Sequence, residues 1–201
     1  MIWDISPPVG PDTLVYPGDQ PYRQHWTATG AVHVSAITLS PHLGAHADAP
    51  LHYAPGAAAI GVLDLAPFLG PCRVVHALGC GRLVYPEHLQ HAAAGLPERV
   101  LVRTCARAAT VWTEDFTALA PETLDWLAEQ GVRLVGIDTP SVDPADSLAL
   151  HSHQRLLLHD LRVLENLVLD DVPAGDYELI ALPLRWIGAE ASPVRAVLRS
   201  L

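Results

Sequence analysis

The chain contains no lysine, and all twelve of its basic residues are arginine. A Schiff base on a side chain, a pyridoxal-phosphate enzyme and a Walker A loop each require a lysine, so all three are excluded. No serine lies in a G-x-S-x-G elbow, and Gly79-Cys80-Gly81 is not followed by the third glycine of a dinucleotide-binding loop. The common signatures of covalent and cofactor chemistry are therefore absent.

Cysteine, long apolar runs and excess positive charge are also scarce. Three cysteines without a C-x-x-C pair argue against a disulfide framework and against a thiolate zinc site. No apolar run approaches the roughly 18 residues of a membrane span, and the first residues, MIWDISPP, lack the pattern of a secretory signal. The net charge of −10 opposes nucleic-acid binding. We expect a cytoplasmic protein without nucleic-acid or membrane partners.

Length and hydrophobic periodicity predict one domain, 1–201, of mixed α/β class. Residues Pro121 to Gln130 favour a helix, a second follows Pro86 as far as Ala94, and a third begins near His151. In the third, Leu157, Leu161, Leu164 and Val168 keep a helical period, although the chain could equally leave the helix at Glu165. The β-like runs are Ile2–Ser6, Val32–Leu39, Arg73–Leu78, Val100–Thr104, Leu134–Ile137 and Tyr177–Leu182.

Histidine, by contrast, is plentiful, and residues 42–52 read HLGAHADAPLH. The metal-binding residue types in this run all stand at even positions: His42, His46, Asp48 and His52. In an extended chain they share one face, and Pro41, Gly44 and Pro50 oppose a helix. Four extended residues span about 13 Å, so one ion could bind both His42 and His46 only if the chain bends, most easily at Gly44.

His46 and Asp48 stand two residues apart, which lets an imidazole and a carboxylate reach a common zinc, manganese or iron ion. Further ligands must come from elsewhere, and the candidates are His151 or His153, together with Glu165 in an otherwise apolar run. The alternative is that these histidines are hydrogen-bonded core or surface residues, but four donors of one parity favour a metal. The other histidines have no comparable pattern of metal-binding residue types around them. We interpret them as structural or exposed: His25, His33, His76, His88, His91 and His159.

Five sequence blocks are distributed over nearly the whole chain, namely WDISPP, YPGD, HLGAHADAPLHY, GIDTPSVDP and ENLVLDDVPAGDYELIALPL. With these blocks the chain resembles the metal-dependent cyclase family, and within it the bacterial cyclase-type kynurenine formamidases. The resemblance implies a swivelling β/β/α fold with a curved, barrel-like mixed sheet flanked by helices, and a homodimer. It also implies hydrolysis of N-formyl-L-kynurenine to L-kynurenine and formate in tryptophan degradation.

The same resemblance implies a role for each residue of the site. His42, His46 and Asp48 would ligate two zinc ions per subunit, or manganese, with Asp48 as the bridge. His153 and Glu165 would complete the ligands and leave His151 unused, while His52 would be the catalytic acid and base.

Two departures from the family pattern lie on the expected substrate side. Tyr16 stands where we expect a tryptophan that packs on the aryl ring, and it is either a substrate contact or a packed loop aromatic. The segment from Gln20 to Val32 is shorter than usual. Two alternatives therefore stay open: a relative that opens another amide or lactam, such as isatin, and a metal-binding protein without catalysis, in which His52 would not serve as a free base.

Overall fold

A nine-stranded mixed β-sheet organises the computed structural model, which describes residues 1–201. Four neighbouring strands in its middle run parallel, and the outer strands on both sides are antiparallel. From one edge to the other the strands are β1 (Ile2–Asp4), β13 (Val197–Ser200), β11 (Gly175–Ile180), β5 (Leu69–His76), β7 (Arg99–Arg103), β9 (Leu134–Ile137), β10 (Arg162–Glu165), β4 (His46–Asp48) and β12 (Ala191–Pro193).

Two smaller sheets and a few short helices complete the fold. Strands β2 (Arg23–Thr29) and β3 (Val32–Thr38) form a hairpin, and β6 (Leu83–Val84) pairs with β8 (Ala118–Leu119). None of the helices has the length and apolar character that a membrane crossing requires. The α-helices are α1 (Pro50–Tyr53), α2 (Pro86–Leu89), α3 (Pro121–Glu129) and α4 (His151–Leu158), and single 3₁₀ turns occupy Ile60–Val62, Ala66–Phe68 and Gln90–Ala92.

The two faces of the sheet build two separate hydrophobic cores, because side chains alternate along each strand. On β7, Leu101 enters the core enclosed by the curled sheet, whereas Val100 and Val102 enter the core beneath α3 and α4. Backbone hydrogen bonds from Ile5 to Ala196 and from Val168 to Ile5 hold the curl, which gives the sheet the form of a half-barrel. The predicted α/β class with a curved mixed sheet flanked by helices is thereby confirmed.

The predicted continuation of the third helix is wrong. Helix α4 ends at Leu158, Asp160 adopts a left-handed backbone with φ of 52°, and the chain enters strand β10 at Arg162. Leu161 and Leu164 therefore lie in different cores. A short apolar run of this kind fits a buried strand as well as a helix, so its periodicity alone misled the prediction.

The extended interpretation of residues 42–52 is correct only in part. His46–Asp48 form strand β4, but Pro50 opens helix α1 instead of opposing it, because proline is compatible with the first position of a helix. His52 thus lies on a helical turn. It nevertheless lies on the same side as His42. The helical turn places it there, and not the alternation of side chains along an extended strand.

Candidate metal centre

The bend predicted at Gly44 is present and brings two histidines together. Gly44 has a φ of 71°, and a Cβ atom there would lie 2.7 Å from a methyl group of Val9, so both backbone conformation and space require glycine. The rings of His42 and His46 lie with their centroids 5.0 Å apart.

Pairing of β4 with β10 supplies the centre of the cluster. His46 stands opposite Glu165 in this antiparallel pair, and its Nε2 atom lies 3.3 Å from Glu165 Oε2 and 3.4 Å from Asp48 Oδ1. All three side chains are buried. The sheet therefore fixes one imidazole and two carboxylates at the inner end of a cavity.

Helix α4 adds His153 to this cluster and leaves His151 outside it. His153 Nε2 lies 3.5 Å from Asp48 Oδ2 and 3.7 Å from Glu165 Oε1, and the side chain is buried. His151, at the first position of the same helix, is exposed and makes none of these contacts. Of the two alternatives that the spacing left open, the structure thus brings His153 to the carboxylates.

His42 and His52 lie on the cavity side of Asp48. His42 Nδ1 is 3.0 Å from Asp48 Oδ1, and the ring centroids of His42 and His52 are 4.3 Å apart. Glu190, which sequence reasoning missed, places its Oε1 atom 3.7 Å from His42 Nε2. Nothing in its local sequence, GAEAS, pointed to this position.

Four buried polar atoms of the cluster have no hydrogen-bond partner, namely His46 Nε2, His153 Nε2 and both carboxylate oxygens of Asp48. Buried polar groups are normally hydrogen-bonded, so four unpartnered atoms that converge on one place fit a bound cation. The donors form two groups that share Asp48, one with His42 and His52 and the other with His46 and Glu165. Nitrogen and oxygen donors without a thiolate suit zinc or manganese.

Asp143, also missed from the sequence, orients His153 from behind. Its Oδ2 atom accepts hydrogen bonds from His153 Nδ1 at 2.7 Å and from the His153 backbone at 3.0 Å, while Oδ1 accepts one from Ser152 N at 3.0 Å. The carbonyl of Gly44 accepts the corresponding hydrogen bond from His46 Nδ1 at 2.9 Å. Both imidazoles therefore turn Nε2 towards the cluster, as such outer partners do in metal sites.

The ionisation of the cluster without a metal follows from these contacts. Burial alone would lower the pKa of His46, but the neighbouring carboxylates of Glu165 and Asp48 raise it to about 9. For His153, burial is outweighed by Asp143 and Asp48, and the pKa rises to about 10. The facing imidazoles of His153 and His42 overcome burial at Asp48 and hold its pKa well below the usual range. Two imidazolium ions thus balance the buried carboxylates of the metal-free protein.

A cavity of about 1090 Å³ opens onto the cluster. Tyr16 lines it and packs edge-on against Trp112, with ring centroids 4.9 Å apart, and its hydroxyl donates to the carbonyl of Ala145 at 3.2 Å. The two interpretations of Tyr16 are therefore compatible, since the ring is packed and still borders the cavity. Trp112, on the opposite loop, was not recognised from the sequence, because a lone tryptophan in a polar loop carries no spacing signal.

Comparison with known proteins places the chain in a family. The sequence profile of the family described as "Putative cyclase" matches residues 3–144. The kynurenine formamidase of Bordetella pertussis (strain Tohama I) is 66% identical over 205 aligned positions, which cover 100% of this chain and 98% of that protein.

Solved structures agree with this at the level of the fold. A "predicted metal-dependent hydrolase" from Bacillus stearothermophilus superposes with a TM-score of 0.85 at 27% identity and covers 98% of this chain and 97% of its own. An isatin hydrolase bound to thioisatinate has a TM-score of 0.83 at 19% identity, with 98% and 91% covered, and shows the fold alone. The profile match and the full-length identity establish that this chain belongs to the "Putative cyclase" family.

Proposed function

We propose that the protein is a metal-dependent arylformamidase that hydrolyses N-formyl-L-kynurenine to L-kynurenine and formate in tryptophan degradation. The observation that carries this proposal is the convergence of four unpartnered buried donor atoms at the inner end of a large cavity. The name of the Bordetella relative, which is 66% identical over the full chain, supplies the substrate class.

In this proposal His42, His46, Asp48, His153 and Glu165 would hold two zinc ions per subunit, with Asp48 available to both donor groups. The two donor groups that meet at Asp48 support the pair of ions, and the same nitrogen and oxygen donors would accept manganese. A divalent cation supplies Lewis-acid polarisation of a carbonyl oxygen and lowers the pKa of water. Asp143 and the Gly44 carbonyl keep the two buried imidazoles correctly rotated for this task.

His52 is the residue that moves protons. Loss of hydration beside the cluster, together with the neighbouring His42 and His153, lowers the pKa of His52, so its imidazole is neutral at pH 7. A neutral ring can accept a proton from the attacking water and deliver it to the nitrogen of the departing arylamine. His52 suits this role because it lines the cavity and is more exposed than His46 and His153, which are buried.

One experiment tests the proposed function directly. Kynurenine release from N-formyl-L-kynurenine is followed with zinc-loaded protein, with protein stripped by a chelator, and with stripped protein to which zinc is restored. We expect activity only in the first and third samples. Activity that survives stripping would contradict the metal dependence. Zinc-loaded protein that cleaves isatin instead would assign the lactam alternative, and protein that binds zinc but cleaves neither would be a non-catalytic metal binder.

The same proposal includes a homodimer in the cytoplasm. The hairpin β2–β3 pairs only with itself and is exposed along nearly its whole length, including the apolar residues Trp26, Val34 and Ile37. Because an isolated two-stranded ribbon is marginally stable in water, its exposure supports a second copy as the covering partner. Three free thiols suit a reducing compartment. Sedimentation analysis that finds a monomer at micromolar concentration would contradict the dimer.

A further inference from the structure

The proposed substrate carries a free amino-acid group at the end remote from its formamide. At neutral pH this group has a carboxylate and an ammonium, so a specific enzyme needs a cation and an anion at matching positions. Recognition of this end, which rests on the proposed function, requires residues other than the metal ligands and His52, because those are assigned to the formamide.

The cavity offers one cationic side chain for a carboxylate. The chain has no lysine, and of its twelve arginines only Arg107 lines the cavity. Its side chain is 74% exposed, so the N–H donors of its planar fork that do not face Asp171 are open to solvent. Other charged side chains around the cavity outside the metal cluster are carboxylates: Asp12, Asp19, Asp115, Asp138, Asp170 and Glu190.

One of these carboxylates stands beside Arg107. Asp170 Oδ2 lies 3.8 Å from Arg107 Nη1, and the Asp170 side chain is only 15% exposed. Asp171, which does not line the cavity, accepts a hydrogen bond from the same nitrogen at 3.3 Å and so helps to hold the guanidinium in place. A cation and an anion thus border the cavity at neighbouring positions, which matches the charge pattern of a zwitterion.

Hydrogen bonds to two carboxylates fix the backbone that carries Arg107. The Asp170 carboxylate accepts from Ala108 N at 2.9 and 3.1 Å, directly after Arg107. On the other side of Arg107, the backbone N–H groups of Thr104 and Cys105 donate hydrogen bonds to the Asp138 carboxylate at about 3 Å. Arg107 is therefore presented by a loop that is anchored on both sides. Asp170 follows the metal-site residue Glu165 by five positions, which span at most about 17 Å, so both sites are within reach of one extended molecule.

We propose that Arg107 and Asp170 form the amino-acid recognition site of the enzyme. Arg107 donates two parallel hydrogen bonds to the α-carboxylate of the substrate, and Asp170 accepts one from the α-ammonium. The pair determines specificity and takes no part in bond cleavage. It restricts efficient turnover to aryl formamides that carry an amino-acid side chain.

The test compares N-formyl-L-kynurenine with 2′-formamidoacetophenone, which has the same aryl formamide and ketone but no amino-acid group. In Arg107→Gln we expect kcat/KM for N-formyl-L-kynurenine to fall about 10- to 100-fold, mainly through KM, because a hydrogen bond to a charged group is lost. The value for 2′-formamidoacetophenone stays unchanged. Arg133→Gln, which removes an arginine outside the cavity that also faces an aspartate, leaves both values unchanged.

Binding of reaction products, measured by calorimetry, gives a readout that is independent of turnover. We expect Arg107→Gln and Asp170→Asn to weaken binding of L-kynurenine and to leave binding of 2′-aminoacetophenone as it is. Asparagine keeps an oxygen acceptor for Ala108 N, so the second variant preserves the loop. For 3-(2-aminobenzoyl)propionate, which lacks only the ammonium, Arg107→Gln weakens binding and Asp170→Asn does not.

Equal losses for the full and the truncated compounds would overturn the proposal and assign the pair a structural role, and so would the absence of any loss. Wild-type protein that cleaves both formamides equally well would also overturn it while the proposed function stands. If wild-type protein cleaves neither formamide, the proposed function is wrong. The calorimetric comparison then still decides whether this pair binds an amino-acid group.

Discussion

The inner end of the cavity and its outer wall are built in opposite ways. At the inner end, strands β4 and β10 and helix α4 hold His46, Asp48, His153 and Glu165, all buried. The outer wall consists of loops around Tyr16 and Trp112, where the side chains are partly exposed and the loop from Cys105 to Thr117 contains no helix or strand. At the buried end, His46 Nε2, His153 Nε2 and both carboxylate oxygens of Asp48 lack hydrogen-bond partners. The wall carries aromatic rings and charged side chains that are exposed to solvent.

This difference separates the chemistry from the choice of substrate. A buried site fixed by a sheet tolerates little change, because each donor depends on strand register and on a partner behind it. A wall of loops can vary while the buried site stays the same, since loops are exposed and tolerate substitution. Substitutions at the inner end should therefore abolish activity, whereas those at the wall should shift KM.

The largest effect is expected at the carboxylate that both donor groups share. Asp48→Asn removes one negative charge from the centre of the cluster, so we expect metal content to fall to background and activity to fall to that of the chelated protein. Elemental analysis and the formamidase assay measure both. Glu129→Gln, an exposed carboxylate at the end of α3, serves as the control and should change neither. If Asp48→Asn retained its metal and its activity, the inner end of the cavity would be no more sensitive to substitution than the outer wall, contrary to expectation.

The next largest effect separates proton transfer from metal binding. His52→Ala should keep its metal and lose roughly 10²- to 10⁴-fold in kcat, the range typical of a lost general acid and base. His151→Ala, which removes an exposed histidine of helix α4, should behave like the wild type. Because His52 also lies within one donor group, loss of one ion per chain in His52→Ala would make it a ligand and contradict its proposed role.

A smaller effect appears in the stability of the metal-free protein. The raised pKa values of His46 and His153, about 9 and about 10, mean that their ion pairs contribute fully below the ordinary histidine pKa of 6.5. That contribution is lost as the pH rises through the two folded-state values. We expect the melting temperature of chelated protein to fall by several degrees between pH 7 and 10, relative to zinc-loaded protein. If the melting temperatures of chelated and zinc-loaded protein changed equally with pH, the imidazoles of the metal-free cluster would not be protonated.

The smallest effect is expected at the wall. Tyr16→Phe removes the hydrogen bond to Ala145 but keeps the ring against Trp112, so about 1 kcal/mol or less is lost. KM for N-formyl-L-kynurenine should rise less than about fivefold, with kcat unchanged, in steady-state kinetics. A drop in kcat as large as that of His52→Ala would show that the wall takes part in the chemistry.

Local chemistry in the sequence was enough to predict the mixed α/β class and the centre of the site, whereas the curved sheet was predicted only from the family resemblance. The strand Leu134–Ile137 has the predicted bounds, and the histidines around Gly44 converge as the positions of glycine and the donor residues suggested. Long-range packing was not accessible in this way. Arg162–Glu165 became a strand because β9 and β4 flank it, and a helical period cannot report its neighbours in a sheet.

The residues that sequence reasoning missed fall into two kinds. Some contact partners that are distant in the chain, and others stand at a spacing that suggests no role. Glu190 meets His42 across 148 positions, and Tyr16 meets Trp112 across 96. Asp143 lies ten residues before His153, inside a block that the resemblance had marked but to which spacing gave no role. Sequence reasoning found the donors of one short segment and the candidates His153 and Glu165. It could not find Glu190 and Asp143, which only tertiary folding brings to these donors.

Anomalous diffraction from crystals of zinc-loaded protein, recorded on both sides of the zinc absorption edge, shows whether the buried cluster binds two ions. We expect two zinc peaks that flank the Asp48 carboxylate, with His46 and His153 Nε2 directed at them. Active crystals without an anomalous peak at this cluster, or with zinc bound only elsewhere in the molecule, would contradict it.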